Sequence, residues 1–136
     1  MRRAAIRQAF GVKTAQLLPD EVQIIWENTA AISQTNKTAW LYLGLVFHTD
    51  NEAVQILGGP QRLISGALQG WLAVPVGSGM DRLDQLTDLL DSGLGQQYFD
   101  SVATSRLDAE LPIEIPPYHK LHFSIPFTCS PPAINR

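Results

Sequence analysis

The stretch "AWLYLGLVFHTD", Ala39 to Asp50, is the feature that most narrows the folds open to this chain. Read as a strand, it puts Trp40, Tyr42, Gly44, Val46 and His48 on one face and Leu41, Leu43, Leu45 and Phe47 on the other, because successive side chains point to opposite faces. Apolar residues on both faces call for cover on both sides, which places this strand inside a sheet with material above and below. The near-continuous apolar run ends at Phe47, far short of the roughly 20 residues a membrane helix needs.

The other segments supply partners for that strand. Ala5, Ile6, Ala9, Phe10, Ala15 and Leu17 fit one face of an N-terminal helix, frayed or broken near Gly11. "VQIIWEN" (Val22 to Asn28) has the β-branched and aromatic content of a short strand, and a polar loop follows it. "EAVQIL" reads as a second, weaker strand, with a turn at "GGPQ" (Gly58 to Gln61). The extended segment "RLISGALQGWLAVPV" then carries Gly66 and Gly70, the marks of bulges or close backbone approaches.

The clearest helix comes next. Met80, Leu83, Leu86, Leu90 and Leu94 recur at spacings of three and four, with Ser78 placed as N-cap, Asp81 as its capping partner, and Gly93 and Gly95 at the end. A short strand is expected at Val102 to Leu107, followed by a loop marked by Pro112, Pro116 and Pro117. "KLHFSIPFTC" alternates Leu121, Phe123, Ile125 and Phe127 against His122, Ser124, Pro126 and Thr128, and Pro126 predicts an edge or interrupted strand. Residues 1–130 read as one domain and 131–136 as a C-terminal tail. The fold class is α+β: a mixed, mainly antiparallel sheet with the N-terminal and central helices packed on it.

Composition limits the partners. The 136 residues carry 17% charged side chains against about 25% in an ordinary soluble domain, so some uncharged surface is expected to meet other subunits. A formal charge of −3, with only Arg2, Arg3 and Arg7 clustered, argues against a nucleic-acid or anionic-membrane grip. The lone cysteine, Cys129, excludes an internal disulfide and any multi-cysteine metal site. No secretory leader is expected, because the segment after Arg2 and Arg3 alternates apolar with polar residues.

Chemistry-bearing motifs are sparse. Gly77-Ser78-Gly79 has the outline of a phosphate loop but lacks the lysine of a P-loop and the third glycine of a dinucleotide site, and Asp81 already serves the helix N-terminus. It reads as a capped strand-to-helix turn. His119 and His122 point to opposite faces of one strand, which disfavours a shared metal. No nucleophile elbow, zinc-protease helix or paired-carboxylate motif is present, so neither an enzyme nor a cofactor is expected. Asp81, Asp84, Asp88 and Asp91 form an acidic row away from the leucines, either a solvated face or a contact for a basic partner. The region from His48 to Arg62 reads as a hairpin projecting from a small domain, whose open edges need cover by another subunit.

Taken in order, "IWEN" (Ile25 to Asn28), "WLYLGL" (Trp40 to Leu45), "GGPQRLISG" (Gly58 to Gly66), "VPVGSG" (Val74 to Gly79) and "SIPF" (Ser124 to Phe127) resemble the tail terminator proteins of long-tailed bacteriophages and prophage tails. The resemblance implies a small α+β domain without a catalytic site, six copies of which form a ring. That ring caps the tail tube, ends its polymerisation and offers a surface to the head-neck connector or stopper protein. It further implies a virion protein assembled in the host cytoplasm, whose partners are itself, the major tail tube protein and the connector. The residues expected at partner contacts are His48, Asp50, Asn51, Glu52, Gln61 and Arg62 in the hairpin and Asp81, Asp84 and Asp88 on the helix. Three other readings compete: a different neck ring protein such as a stopper or head completion protein, a small ligand-binding domain or enzyme using the cleft beside Gly77, and an adaptor binding peptides at an open sheet edge.

Overall fold

The computed structural model describes residues 3–19, 22–27, 39–56, 59–78 and 80–129, and for 49–56, 59–63 and 78 the backbone path alone. The chain runs α1 (Arg3–Leu17), β1 (Gln23–Trp26), β2 (Trp40–Ile56), β3 (Gly59–Pro75), a 3-10 turn (Val76–Ser78), α2 (Met80–Leu94), β4 (Tyr98–Phe99), β5 (Val102–Thr104), β6 (Asp108–Ala109), β7 (Ile113–Ile115) and β8 (Tyr118–Cys129). The fold is α+β, with two helices on an eight-stranded mixed sheet among the described residues. Its order is β1-β2-β3-β8-β5-β4, with β6 and β7 also paired to β8. β1 runs parallel to β2, and every other pairing is antiparallel.

Hydrophobic periodicity puts the core on one side of the sheet. Leu41, Leu43 and Leu45 of β2, Ile64, Leu68 and Leu72 of β3, and Leu121, Phe123, Ile125 and Phe127 of β8 point into one buried cluster. Ile6 and Phe10 of α1 and Leu83, Leu86, Leu90 and Leu94 of α2 close it from above. Burying each of those four α2 leucines contributes about 1.5–3 kcal/mol. Differences in helix propensity amount to tenths, so packing rather than local preference seats α2. The stripe starts at Leu83, because Met80, expected within it, is exposed on the first turn.

Where the structure departs from the sequence reading, tertiary context is the reason. α1 is continuous through Gly11, because buried Ile6, Ala9 and Phe10 before it and buried Thr14 after it anchor the helix on both sides of a glycine whose only cost is backbone entropy. "EAVQIL" is not a separate strand but the far half of β2, and Gly59, Pro60 and Gln61 already belong to β3. Residues 57–58 lie outside the described residues. So do the polar loop expected over 29–38 and the C-terminal tail expected over 131–136.

Pro126 sits in neither an edge strand nor a break. β8 is central, with β3 on one side and β5, β6 and β7 along the other. The Pro126 carbonyl accepts the Ser105 N–H at 2.8 Å in the gap between β5 and β6, so the missing donor falls where no ladder bond is needed. The strand expected over Val102 to Leu107 ends at Thr104, after which the chain follows β8 in short pairings.

Gly66 and Gly70 are close backbone approaches, as their positions predicted. A Cβ at Gly66 would run into the carbonyl oxygen of Val46, and one at Gly70 into that of Tyr42. The β2/β3 register shifts beside the first of these, between Phe47 and Thr49, so the pair bends there.

Candidate interaction surfaces

Two features of the sheet could meet partners, and the first is the β2/β3 hairpin. β8 leaves β3 at Ile64, opposite Cys129, and β1 leaves β2 at Leu43. Beyond those points Asn51↔Leu63, Glu52↔Arg62, Val54↔Gln61, Gln55↔Pro60 and Ile56↔Gly59 continue as a two-stranded arm with no flanking strand among the described residues. At about 3.3 Å per residue the arm runs on for roughly 20 Å. Unpaired by any described strand, both edges offer N–H and C=O groups to a neighbouring chain.

Contacts at its base are aromatic and cationic. Phe47 packs edge-on against Phe127 at 6.0 Å, and the guanidinium groups of Arg3 and Arg7 lie 4.7 and 5.4 Å from its ring centre. Phe127 meets Phe10, which meets Phe99, and Lys13 stands over that last ring at 5.7 Å. A row of four phenylalanines thus ties the arm's base through the core to the β4/β5 hairpin.

The second feature is the sheet face opposite the helices. Register places Tyr42, Trp71 and His122 side by side across β2, β3 and β8, with Trp71 and His122 rings 5.0 Å apart. They wall a groove of about 190 Å³ that passes over Gly44 and Gly70 and is bordered by Glu27, Val46 and Gln69. Ile25, Trp40, Ala73 and Tyr118 form a smaller buried cluster on this face. No helix among the described residues covers it, and Tyr42 and Val46 are 41% and 40% exposed. Among the described residues, the two-sided cover expected for this strand therefore exists on one side only. The indole N–H of Trp40 is buried and has no hydrogen-bond acceptor among the described residues.

Glu27 closes the ladder at the end of β1. Its backbone N–H donates to the Leu43 carbonyl at 2.8 Å, and its side chain then takes the place of the next strand residue. One carboxylate oxygen accepts the Leu45 N–H at 2.9 Å and the Arg7 guanidinium at 2.8 Å. The Arg7 hydrogen bond, then the Leu45 N–H, hold the Glu27 carboxyl below its ordinary pKa.

The nine expected contact residues fall into two separate groups. His48 is exposed on β2 at the register shift itself, between Phe47 and Thr49. Asp50, Asn51 and Glu52 lie on the outgoing strand, and Gln61 and Arg62 on the returning one, where Glu52 and Arg62 are directly opposed. Asp81, Asp84 and Asp88 are exposed on α2. The fourth member of that row differs: the Asp91 carboxylate accepts the Leu107 N–H at 3.3 Å and so fastens the loop beyond α2.

His119 and His122 occupy odd and even positions of β8, on opposite faces as expected; His122 Nδ1 lies 3.1 Å from Glu110. The described residues hold no group of three or more metal-ligating side chains, and no helix among them is long and apolar enough to cross a membrane. The strand-to-helix turn over Val76–Ser78 leads into α2, while the Ser78 side chain that would cap it lies outside the described atoms. Sequence reasoning missed the Glu27 clamp and the open aromatic face. A carboxylate directly after "IIW" was the available signal for the clamp.

No family model and no curated protein matches the chain. A solved structure whose name carries no word on activity superposes with a TM-score of 0.71 at 17% identity, covering 95% of this chain and 96% of that one. Likeness at that identity speaks for the fold alone.

Proposed function

We propose that this chain is a structural ring subunit of the tail terminator kind, closing a phage tail tube and joining it to the head-neck connector. The observation that carries the proposal is the β2/β3 arm. A two-stranded ribbon prolonged past every other described strand is marginal by itself in water and is stabilised by contact with another chain. Within a closed ring each subunit presents two different complementary patches to its neighbours. An arm on one subunit and a receiving surface on the next meet that requirement, and the open aromatic face with its groove supplies uncovered area for further contacts.

In this reading the arm residues Asp50, Asn51, Glu52, Gln61 and Arg62 meet a neighbour or the tube by strand pairing and packing. The partners are further copies of the chain, the tube protein and the connector, and the protein acts in the virion without catalysis. Electron microscopy of the purified protein, alone and mixed with its cognate tubes, tests this. Sixfold rings, or a cap on one tube end that blocks growth, are expected. A persistent monomer that never decorates tubes overturns the reading.

A further inference from the structure

The groove on the open sheet face has a specific chemistry. Ladder register orders its lining: Tyr42, Trp71 and His122 stand side by side at one end, Gly44 and Gln69 occupy the middle, and Val46 borders the other end. Tyr42, Gly44 and Val46 are alternate residues of β2 and share this face. From Tyr42 to Val46 the strand advances about 13 Å. Three rings wall one end of that length, and Gly44 leaves the floor beyond them without a side chain, so an extended chain can lie along it. An aromatic-lined groove of this form suits a polyproline II segment. Gln69 adds an amide donor, which matches a ligand whose prolines present carbonyls and no N–H.

The chain's own sequence contains a segment of that kind. The residues after Cys129 read "SPPAINR" and lie outside the described residues. Proline fixes φ near −65° and drives the residue before it into extended geometry, so such a sequence loses little freedom on binding as a polyproline II helix. With three residues per turn of that helix, Pro131 and Ile134 fall on one edge, about 9 Å apart. That spacing fits within the groove. Direction decides whose groove is filled. β8 passes its own groove between His122 and Pro126 and ends at Cys129, opposite Ile64, where the β2/β3 arm also leaves the sheet. The segment therefore starts at the base of the arm, with the groove of its own copy behind it.

We propose that the Pro131 to Ile134 segment of one copy seats in the Tyr42, Trp71 and His122 groove of the next. The proposal rests on the ring reading and gives that ring a second side-to-side contact, beside the arm. Ring packing against proline and the fit of length select the occupant, and no charge pair is needed. Segment and groove are different parts of the chain, so the contact is heterologous and propagates until the ring closes.

The test uses two variants of the full chain. Ile134→Asp keeps the groove and spoils the segment, Tyr42→Ala does the reverse at an exposed position, and circular dichroism confirms that each folds. A synthetic peptide of residues 130–136 is titrated into isotope-labelled Ile134→Asp protein and followed by nuclear magnetic resonance. Saturable shifts of the Trp71 indole N–H and the Gly44 amide are expected, with binding at least about tenfold weaker for a peptide in which alanine replaces both prolines. In sedimentation velocity each variant is expected to form rings less readily than the native chain. Absence of groove shifts at millimolar peptide, or equal binding of the alanine peptide, overturns the proposal while leaving the ring reading standing through the arm. Peptide binding together with Ile134→Asp rings as stable as the native ones overturns it as well, because the segment then does not join copies. A native chain that stays monomeric alone and on tubes overturns both.

Discussion

The carboxylate of Glu27 accepts the backbone N–H of Leu45 at 2.9 Å, a side chain standing where a strand would otherwise continue. β1 is only four residues long, and the ladder it makes with β2 stops at Trp26↔Leu43. Without Glu27 the next inward donor of β2 would need another acceptor, and Arg7 fastens the same oxygen to α1. One carboxylate thus ends the parallel pairing and locks helix to sheet.

Replacing Glu27 with Ala is expected to cost about 1–3 kcal/mol, the range for a lost charge-assisted hydrogen bond, with the low end favoured by partial exposure. The carboxyl is depressed in the folded state. Its contribution is therefore complete above the unfolded carboxylate range near 4.5 and is lost as pH falls through the lower folded value. Urea denaturation of wild type and Glu27→Gln at neutral pH and in acid checks this: the difference between them should shrink in acid. A constant difference across that window would contradict it.

Two glycines should respond in opposite directions to alanine. Nothing lies within 4 Å of a Cβ at Gly11, so Gly11→Ala is expected to stabilise α1 by about 0.5–1 kcal/mol. At Gly70 the added carbon meets the Tyr42 carbonyl, and Gly70→Ala is expected to destabilise by about 1–3 kcal/mol or more. Thermal melts of both variants give the signs directly.

Cys129 is buried on the inner face of β8, and burial pushes its thiol pKa up. Native protein should therefore react with a thiol reagent at least about 100-fold more slowly than urea-unfolded protein, an opening free energy near 3 kcal/mol at ~1.4 kcal/mol per decade. Fast labelling without denaturant would show that the Val102 side of β8 opens readily.

Asp81, Asp84 and Asp88 stand exposed on α2, and solvation is the simplest account of them. Replacing all three with Asn is expected to change stability by no more than about 0.5 kcal/mol per site, most of it at Asp81 on the first turn, where the helix dipole favours negative charge. Assembly on tubes is expected to be unaltered. A loss of capping in this variant, with its melt unchanged, would instead make the row a contact for a basic partner.

Local pattern alone determined a good part of this molecule. The leucine stripe of α2, the apolar row of α1, the alternation of Trp40 to His48 and of Leu121 to Phe127, and the tight approaches at Gly66 and Gly70 are all consequences of side-chain period and of what a missing Cβ permits. Tertiary structure decided what each period faced. Tyr42 and Val46 are apolar enough to suggest cover, yet the described helices occupy only the other side, because Leu41, Leu43 and Leu45 match the α2 leucines. Pro126 looks like an edge residue until the path of β5 and β6 leaves a gap for it, and the strand through Glu52 and Val54 looks broken until β3 returns along it. Glu27 depends on long-range placement altogether: its partners Arg7 and Leu45 are 20 and 18 residues away, and no periodicity in the chain encodes distances between residues so far apart.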